Sequence, residues 1–179
     1  SALIEKTGSV VTINQTATVT SADITASNGV IHVIDKVILP LDIVGHAVAN
    51  SNFTSLVGAL GAASGELVSV LSGDGPFTVF APLNSAFDAI SDVAATLSAD
   101  QLSKVLTYHV VSGNVISTDL SNGMNVVTVN SEMIKIGISG SSVTITDAGG
   151  NVSNVILTDV QATNGVIHVL DSVILPKDL

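Results

Sequence analysis

The 179-residue chain carries five Lys, no Arg and fifteen acidic residues, a formal charge of −10; such a surface repels phosphate backbones and makes nucleic acid a poor partner. Cys is absent, which removes disulfides and thiolate metal sites. Hydrophobic residues make up 46% of the chain but aromatics only 3%, so its core must be built mostly from Val, Ile, Leu and Ala.

No run approaches the roughly 20 apolar residues needed to cross a bilayer, so membrane contact is expected only through parts outside this chain. Charged residues are only 11%, with Ser, Thr, Asn and Gly supplying the polar surface, a composition that leans towards a secreted protein. Ser1 opens the chain with neither Met nor a signal-like stretch and reads as a processed or engineered boundary, any export signal already lost.

In chain order, the first feature is half of a duplication. Asn28 to Pro40 reads NGVIHVIDKVILP and Asn164 to Pro176 reads NGVIHVLDSVILP, an offset of 136 residues. That is a domain length rather than a solenoid period. The match runs back through Asp23/Asp159 and Ile24/Val160, and Val11-Thr12-Ile13 resumes against Val143-Thr144-Ile145 after a short turn insertion. Residues 1–40 therefore read as the C-terminal fragment of one repeat and 41–179 as a complete second copy, a tandem array.

From Asp42 to Leu71 the apolar spacing predicts three short helices, with Asp42, Asn52 and Ser64 as candidate caps. Gly73 to Pro76 is turn chemistry, followed by a short buried strand, Phe77 to Phe80, and a new helical start at Asn84. Ser98-Ala99-Asp100-Gln101 is a capping box whose helix should end near Thr107. Beyond it the period changes to β-branched runs: Tyr108 to Val111, Val126 to Val129, Met133 to Ile138, Val143 to Thr146, Val155 to Leu157 and Val166 to Leu175. The last is apolar on both alternating faces and belongs inside a sheet covered on both sides.

Several residues invite chemistry. Tyr108 and His109 could form a ligand contact, but a buried Tyr hydroxyl and its neighbouring His more often serve the frame. His32 and His168 occupy equivalent places in the two repeated strands, where a satisfied core histidine is favoured over a metal ligand. Asp147 to Asn151 offers oxygens and glycines but lacks the spaced carboxylates of a calcium loop, and hairpin turn is the better reading. No metal site or cofactor is expected. No G-x-S-x-G, H-E-x-x-H or phosphate-binding Gly loop is present, so the chain is expected not to be an enzyme. Asn14, Asn52 and Asn151 satisfy the N-glycosylation pattern, a short match that matters only in a host that glycosylates secreted proteins.

Three motifs in order then resemble the fasciclin domain family: Phe77 to Phe87 its first signature, Tyr108-His109-Val110-Val111 its central Tyr-His motif, and Asn164 to Pro176 its closing signature. The resemblance covers essentially all of 41–179. It implies an α+β fold, a fasciclin-like β-wedge of about seven strands with a flanking layer of short helices, and work in extracellular or cell-surface adhesion. It makes Tyr108, His109, His168, Asn164 and Gly165 structural motif residues. In some animal members an Asp-Ile pair before the closing signature is assigned to integrin binding; the matching positions are Asp159-Val160 here and Asp23-Ile24 in the partial copy, expected to be partner-binding. The partner expected is a surface or matrix protein or polysaccharide, in a secreted or cell-surface setting. The alternative is a carrier of a small apolar ligand, a lipid or pigment, in a cleft between helices and sheet.

The stray tail has a physical consequence. Val30, Ile31, Val33, Ile34, Val37, Ile38 and Leu39 are core residues of an intact repeat, and at roughly 1.5 kcal/mol or more each their exposure forfeits on the order of 10 kcal/mol. Residues 1–40 are therefore expected to pack on the intact domain or to self-associate by strand pairing with another chain.

Overall fold

A computed structural model describes residues 2–179; Ser1, with the boundary read there, lies outside the described residues. The first strands, β1 (Ile4–Thr7), β2 (Val10–Ile13), β3 (Ala17–Ala26) and β4 (Gly29–Ile34), form an antiparallel meander of their own. Asn14 and Gln15 turn the β2–β3 hairpin with positive φ at both positions, 50° and 52°, the geometry whose twist matches the flanking strands. The Asn14 side chain accepts a hydrogen bond from the Leu3 amide at 2.8 Å, tying the start of the chain to that turn.

A layer of short helices follows. Asp42 caps α1 (Ile43–Val48) by accepting from the Gly45 amide; a 3-10 turn (Ser51–Phe53) leads into α2 (Thr54–Ala62), and α3 (Leu67–Leu71) ends the group. Two expected caps are replaced. Asn52 lies inside the 3-10 turn, and Asn50 caps it instead by accepting from the Asn52 amide. The Ser64 hydroxyl is spent on Asp100 and Ser103, while the chain enters α3 through Glu66 in a left-handed conformation. Then come β5 (Phe77–Pro82), α4 (Asn84–Asp88), α5 (Ser91–Ala94) and α6 (Ala99–Tyr108), the last opened by the Ser98/Gln101 capping box.

The remainder is sheet apart from a 3-10 turn (Ser117–Asp119) after the first strand: β6 (Val110–Ser112), β7 (Asn125–Val127), β8 (Met133–Ser139), β9 (Ser142–Thr146), β10 (Val152–Ala162) and β11 (Gly165–Leu170). With β5 they form a seven-stranded sheet in the order β6-β5-β11-β10-β9-β8-β7, in which β5 and β11 are parallel. The architecture is α+β. Tyr108 is the last helical residue rather than the start of a strand. The stretch after Leu170 also leaves the sheet, because the β5–β11 ladder ends at the Leu170–Pro82 pair; Val173 and Ile174 are buried in the loop beyond it.

β11 shows why both of its faces are apolar. Ile167 and Val169 join a core with Ile43, Phe53, Leu56 and Leu60 on the helix side, whereas Leu170 joins Phe80, Tyr108, Ile134, Ile136 and Ile145 on the other. As expected, it lies inside the sheet, between β5 and β10.

Candidate functional site

The expected recognition pair, Asp159-Val160, lies where β10 breaks its ladder with β11. The register shifts between Val155 and Leu157 and again between Leu157 and Val160. At this double irregularity Asp159 takes a left-handed φ of 61°, a conformation that Asp tolerates better than most residues. Its amide donates to His168 Nδ1 at 3.4 Å, and the opposite ring nitrogen, Nε2, donates to the Val115 carbonyl at 2.9 Å. His168 is fully buried and stacked on Phe80 with ring centroids 5.5 Å apart.

The Asp159 carboxylate turns onto the loop after β6. It accepts from the Ser117 amide at 2.7 Å and from the Ser117 hydroxyl. Burial works to raise its pKa, but the Ser117 hydrogen bonds and the neighbouring His168 outweigh it and hold the carboxyl below the usual range. Val160 packs against the helix-side core. What faces solvent at the bulge is the pair before it, with Ile156 52% and Leu157 54% exposed.

The N-terminal β3–β4 hairpin builds the same bulge. β3 and β4 shift register between Val19 and Ser21 and between Ser21 and Ile24, Asp23 sits at φ 60°, and its amide donates to His32 Nδ1 at 3.3 Å. There the side chains are open. Asp23 is 88% and His32 50% exposed, their nearest charged atoms 4.0 Å apart, and Ile24 is exposed too. His32 is thus not the core histidine expected of it, because no β5 or post-β6 loop lies over its strand.

The other motif residues are spent on the frame. The Asn164 side chain accepts from the Ile43 amide at 3.0 Å and donates to the Leu71 and Gly73 carbonyls at 2.7 and 2.9 Å, joining the start of α1 to the end of α3. Gly165 lies so close to β5 that a Cβ there would stand 1.9 Å from the Phe77 carbonyl oxygen. The Tyr108 hydroxyl donates to the Met133 carbonyl and accepts from the Ala148 amide, both at 2.9 Å, and burial pushes its pKa up to about 12. Its partner is therefore backbone rather than His109. The His109 ring instead donates from Nδ1 to the Val105 carbonyl and accepts at Nε2 from the Ile174 amide, and complete burial pulls its pKa down to about 4.

Asp147 closes the β9–β10 turn, accepting from the Gly149 and Asn151 amides and from the Leu175 amide. Among the described residues no group of three or more His, Asp or Glu could hold a metal ion, and no helix is long and apolar enough to cross a membrane.

Reading the sequence missed Val115, Ser117 and His46. Val115 lies in the loop after β6 and Ser117 opens a single 3-10 turn (Ser117–Asp119), too short for a periodic signature, and both are far in sequence from the residues they hold. His46 did carry a signal, for it falls on the same helical face as Ile43 and Ala47, and all three are buried.

The chain is matched by the model of the Fasciclin domain over residues 2–40 and again over 51–176. An uncharacterized Synechocystis protein is 41% identical over 139 residues, which cover 75% of this chain and 97% of that protein. Transforming growth factor-beta-induced protein ig-h3 of Sus scrofa is 36% identical over 174 residues, 93% of this chain but 24% of its own length. Among solved structures, a FAS1 domain pair from the insect cell adhesion molecule Fasciclin I superposes with a TM-score of 0.73 at 23% identity, covering 97% of this chain and 66% of that one. With two separate matches to the family model, the second spanning nearly all of the helical layer and the seven-stranded sheet, this chain belongs to the fasciclin domain family.

Proposed function

We propose that this chain is a non-catalytic binding module of a secreted or cell-surface adhesion protein. Residues 1–40 are the closing part of one copy in a tandem array, and 41–179 are a complete domain. The observation that carries the reading is the β10 bulge, where a locked Asp159 holds the exposed apolar pair Ile156-Leu157 at the surface beside Val160. Buried His109, His168, Tyr108 and Asp147 spend their polar atoms on backbone partners, so none of these four is poised as a base over a nucleophile.

Adhesion is named in the solved insect protein, and the ig-h3 alignment extends over 93% of this chain, so it takes in much of both copies. The partner is a surface or matrix protein or polysaccharide. Asp159 and Val160 set the shape it meets, and Asp23 and Ile24 offer the same backbone with the carboxylate open. Weak contacts of this kind gain strength by repetition along an array. Residues 1–40 carry the self-association, since the exposed β4 lacks the parallel neighbour that β11 has in β5.

Attachment of native surface or matrix material to the immobilised chain tests this. The wild type is expected to retain material, and Ile156→Ser with Leu157→Ser to lose most of it while remaining folded. No attachment by the wild type defeats the adhesive reading; equal attachment by the double variant moves the contact off the bulge.

A further inference from the structure

Among the described residues a single buried side-chain polar atom lacks a hydrogen-bond partner, Nε2 of His46. His46 is only 7% exposed and lines a cavity of about 180 Å³ between α1, the 3-10 turn, β10 and β11, closed on one side by Ala2 and Leu3. Apart from Asn50, the rest of the wall is apolar, formed by Phe53, Leu157, Val160, Ile167 and Val169.

The ring's protonation follows from its other bond. Burial lowers the His46 pKa and favours the neutral ring, while a hydrogen bond to the Gln161 backbone works the other way, which makes the ring the donor and the carbonyl the acceptor. Because Nε2 has no partner, that donor is Nδ1. The neutral tautomer therefore presents the Nε2 lone pair as one acceptor in an apolar chamber. A buried acceptor left in this state is costly, and water is a poor remedy in a site with so few polar groups to hold it.

We propose that this cavity binds a small, neutral, largely apolar molecule carrying one hydroxyl donor, an alcohol or a phenol, with the hydroxyl on His46 Nε2 and the hydrocarbon against Val160, Ile167 and Val169. Size and charge define the class. An apolar chamber of about 150 Å³ accepts benzene, so this one takes about seven or eight non-hydrogen atoms. Anions are disfavoured because the wall is apolar and the chain is strongly acidic. A pure hydrocarbon fits the wall but leaves Nε2 unpaired. The inference does not depend on the adhesive reading, and either can fail alone.

Phenol and toluene, alike in size and different in the hydroxyl, are the probes. Methyl NMR of the whole chain should show saturable shifts at Leu3, Val160, Ile167 and Val169 with both, phenol binding roughly three- to tenfold more tightly, the factor one net hydrogen bond supplies. The ¹⁵N resonance of His46 Nε2 should move with phenol and stay with toluene. In His46→Phe the phenol preference should vanish, and Val160→Phe, which fills the chamber, should abolish binding of both.

The inference is overturned if no methyl shift saturates up to the solubility of the probes. It is equally overturned if His46→Phe retains the preference, or if a crystal soaked in phenol holds only a water on Nε2. Should His46→Phe not fold, the ¹⁵N comparison in the wild type decides.

Discussion

The β3–β4 hairpin and the β10–β11 hairpin are the same object in two settings. Their strands break register at corresponding positions, their bulge aspartates share φ values of 60° and 61°, and in each the aspartate amide donates to the histidine Nδ1. The difference is in what surrounds them. In the second copy β5 lies alongside, His168 stacks on Phe80, and Ser117 captures the carboxylate; in the first, the same side chains face solvent. The bulge is thus a local product of its own sequence, whereas burial, tautomer anchoring and charge capture are supplied by distant elements.

Paired substitutions sharpen this contrast. The largest effect is expected at Gly165→Ala, which drives a Cβ into the Phe77 carbonyl and should cost more than about 4 kcal/mol in urea unfolding. Gly29→Ala, with no atom within 4 Å of its Cβ, should change stability by less than about 0.5 kcal/mol. Similar losses for the two would show that β11 is not clamped against β5 as described.

Next comes His168→Ala, which leaves a cavity under Phe80 and strips partners from the Asp159 amide and the Val115 carbonyl, at about 3–5 kcal/mol. His32→Ala should stay within about 0.5 kcal/mol. Equal effects would mean that the two histidines share one role despite their settings.

Acid should distinguish the copies too. His109 has its pKa lowered to about 4 by burial, against 6.5 when unfolded. Its contribution is fully present above pH 6.5 and is lost as pH falls towards 4, roughly 3 kcal/mol in all. Residues 1–40 contain no counterpart, so amide exchange followed against pH should show residues 41–179 loosening through this window. His109→Gln should flatten the profile, and an unchanged profile would place the acid sensitivity elsewhere.

The smallest contrast is Asp159→Ala against Asp23→Ala. At pH 7 the first should cost about 1–2 kcal/mol for the lost Ser117 hydrogen bonds, discounted for partial exposure, and the second almost nothing. Because the Asp159 pKa is depressed, its contribution is present above the ordinary carboxylate range and disappears as pH falls through the lower folded value. The two unfolding curves should therefore converge in strong acid. A cost that persists there would assign the effect to backbone conformation rather than charge.

Much of the fold was legible because it is written in short-range pattern. The capping box at Ser98 and Gln101, the interior character of Val166 to Leu170, and the hairpin turn at Asp147 follow from spacing and turn chemistry. Two of the failures share one cause. Ser64 was available as a cap by its sequence position, yet Asp100 and Ser103, brought near by α6, took its hydroxyl. Asp159 looked like a group free for a partner until Ser117 claimed it across 42 residues.

By itself the sequence determined the duplication, the order of helices and strands, and a bulge that forms with or without its neighbours, since each rests on backbone preference and hydrogen bonds between adjacent strands. Only the tertiary structure decided which histidine is buried, which carboxylate is locked, and that His46 faces an apolar chamber unpaired. Those outcomes depend on excluding water by packing segments far apart in the chain, and no local pattern of residues encodes which distant surface will arrive.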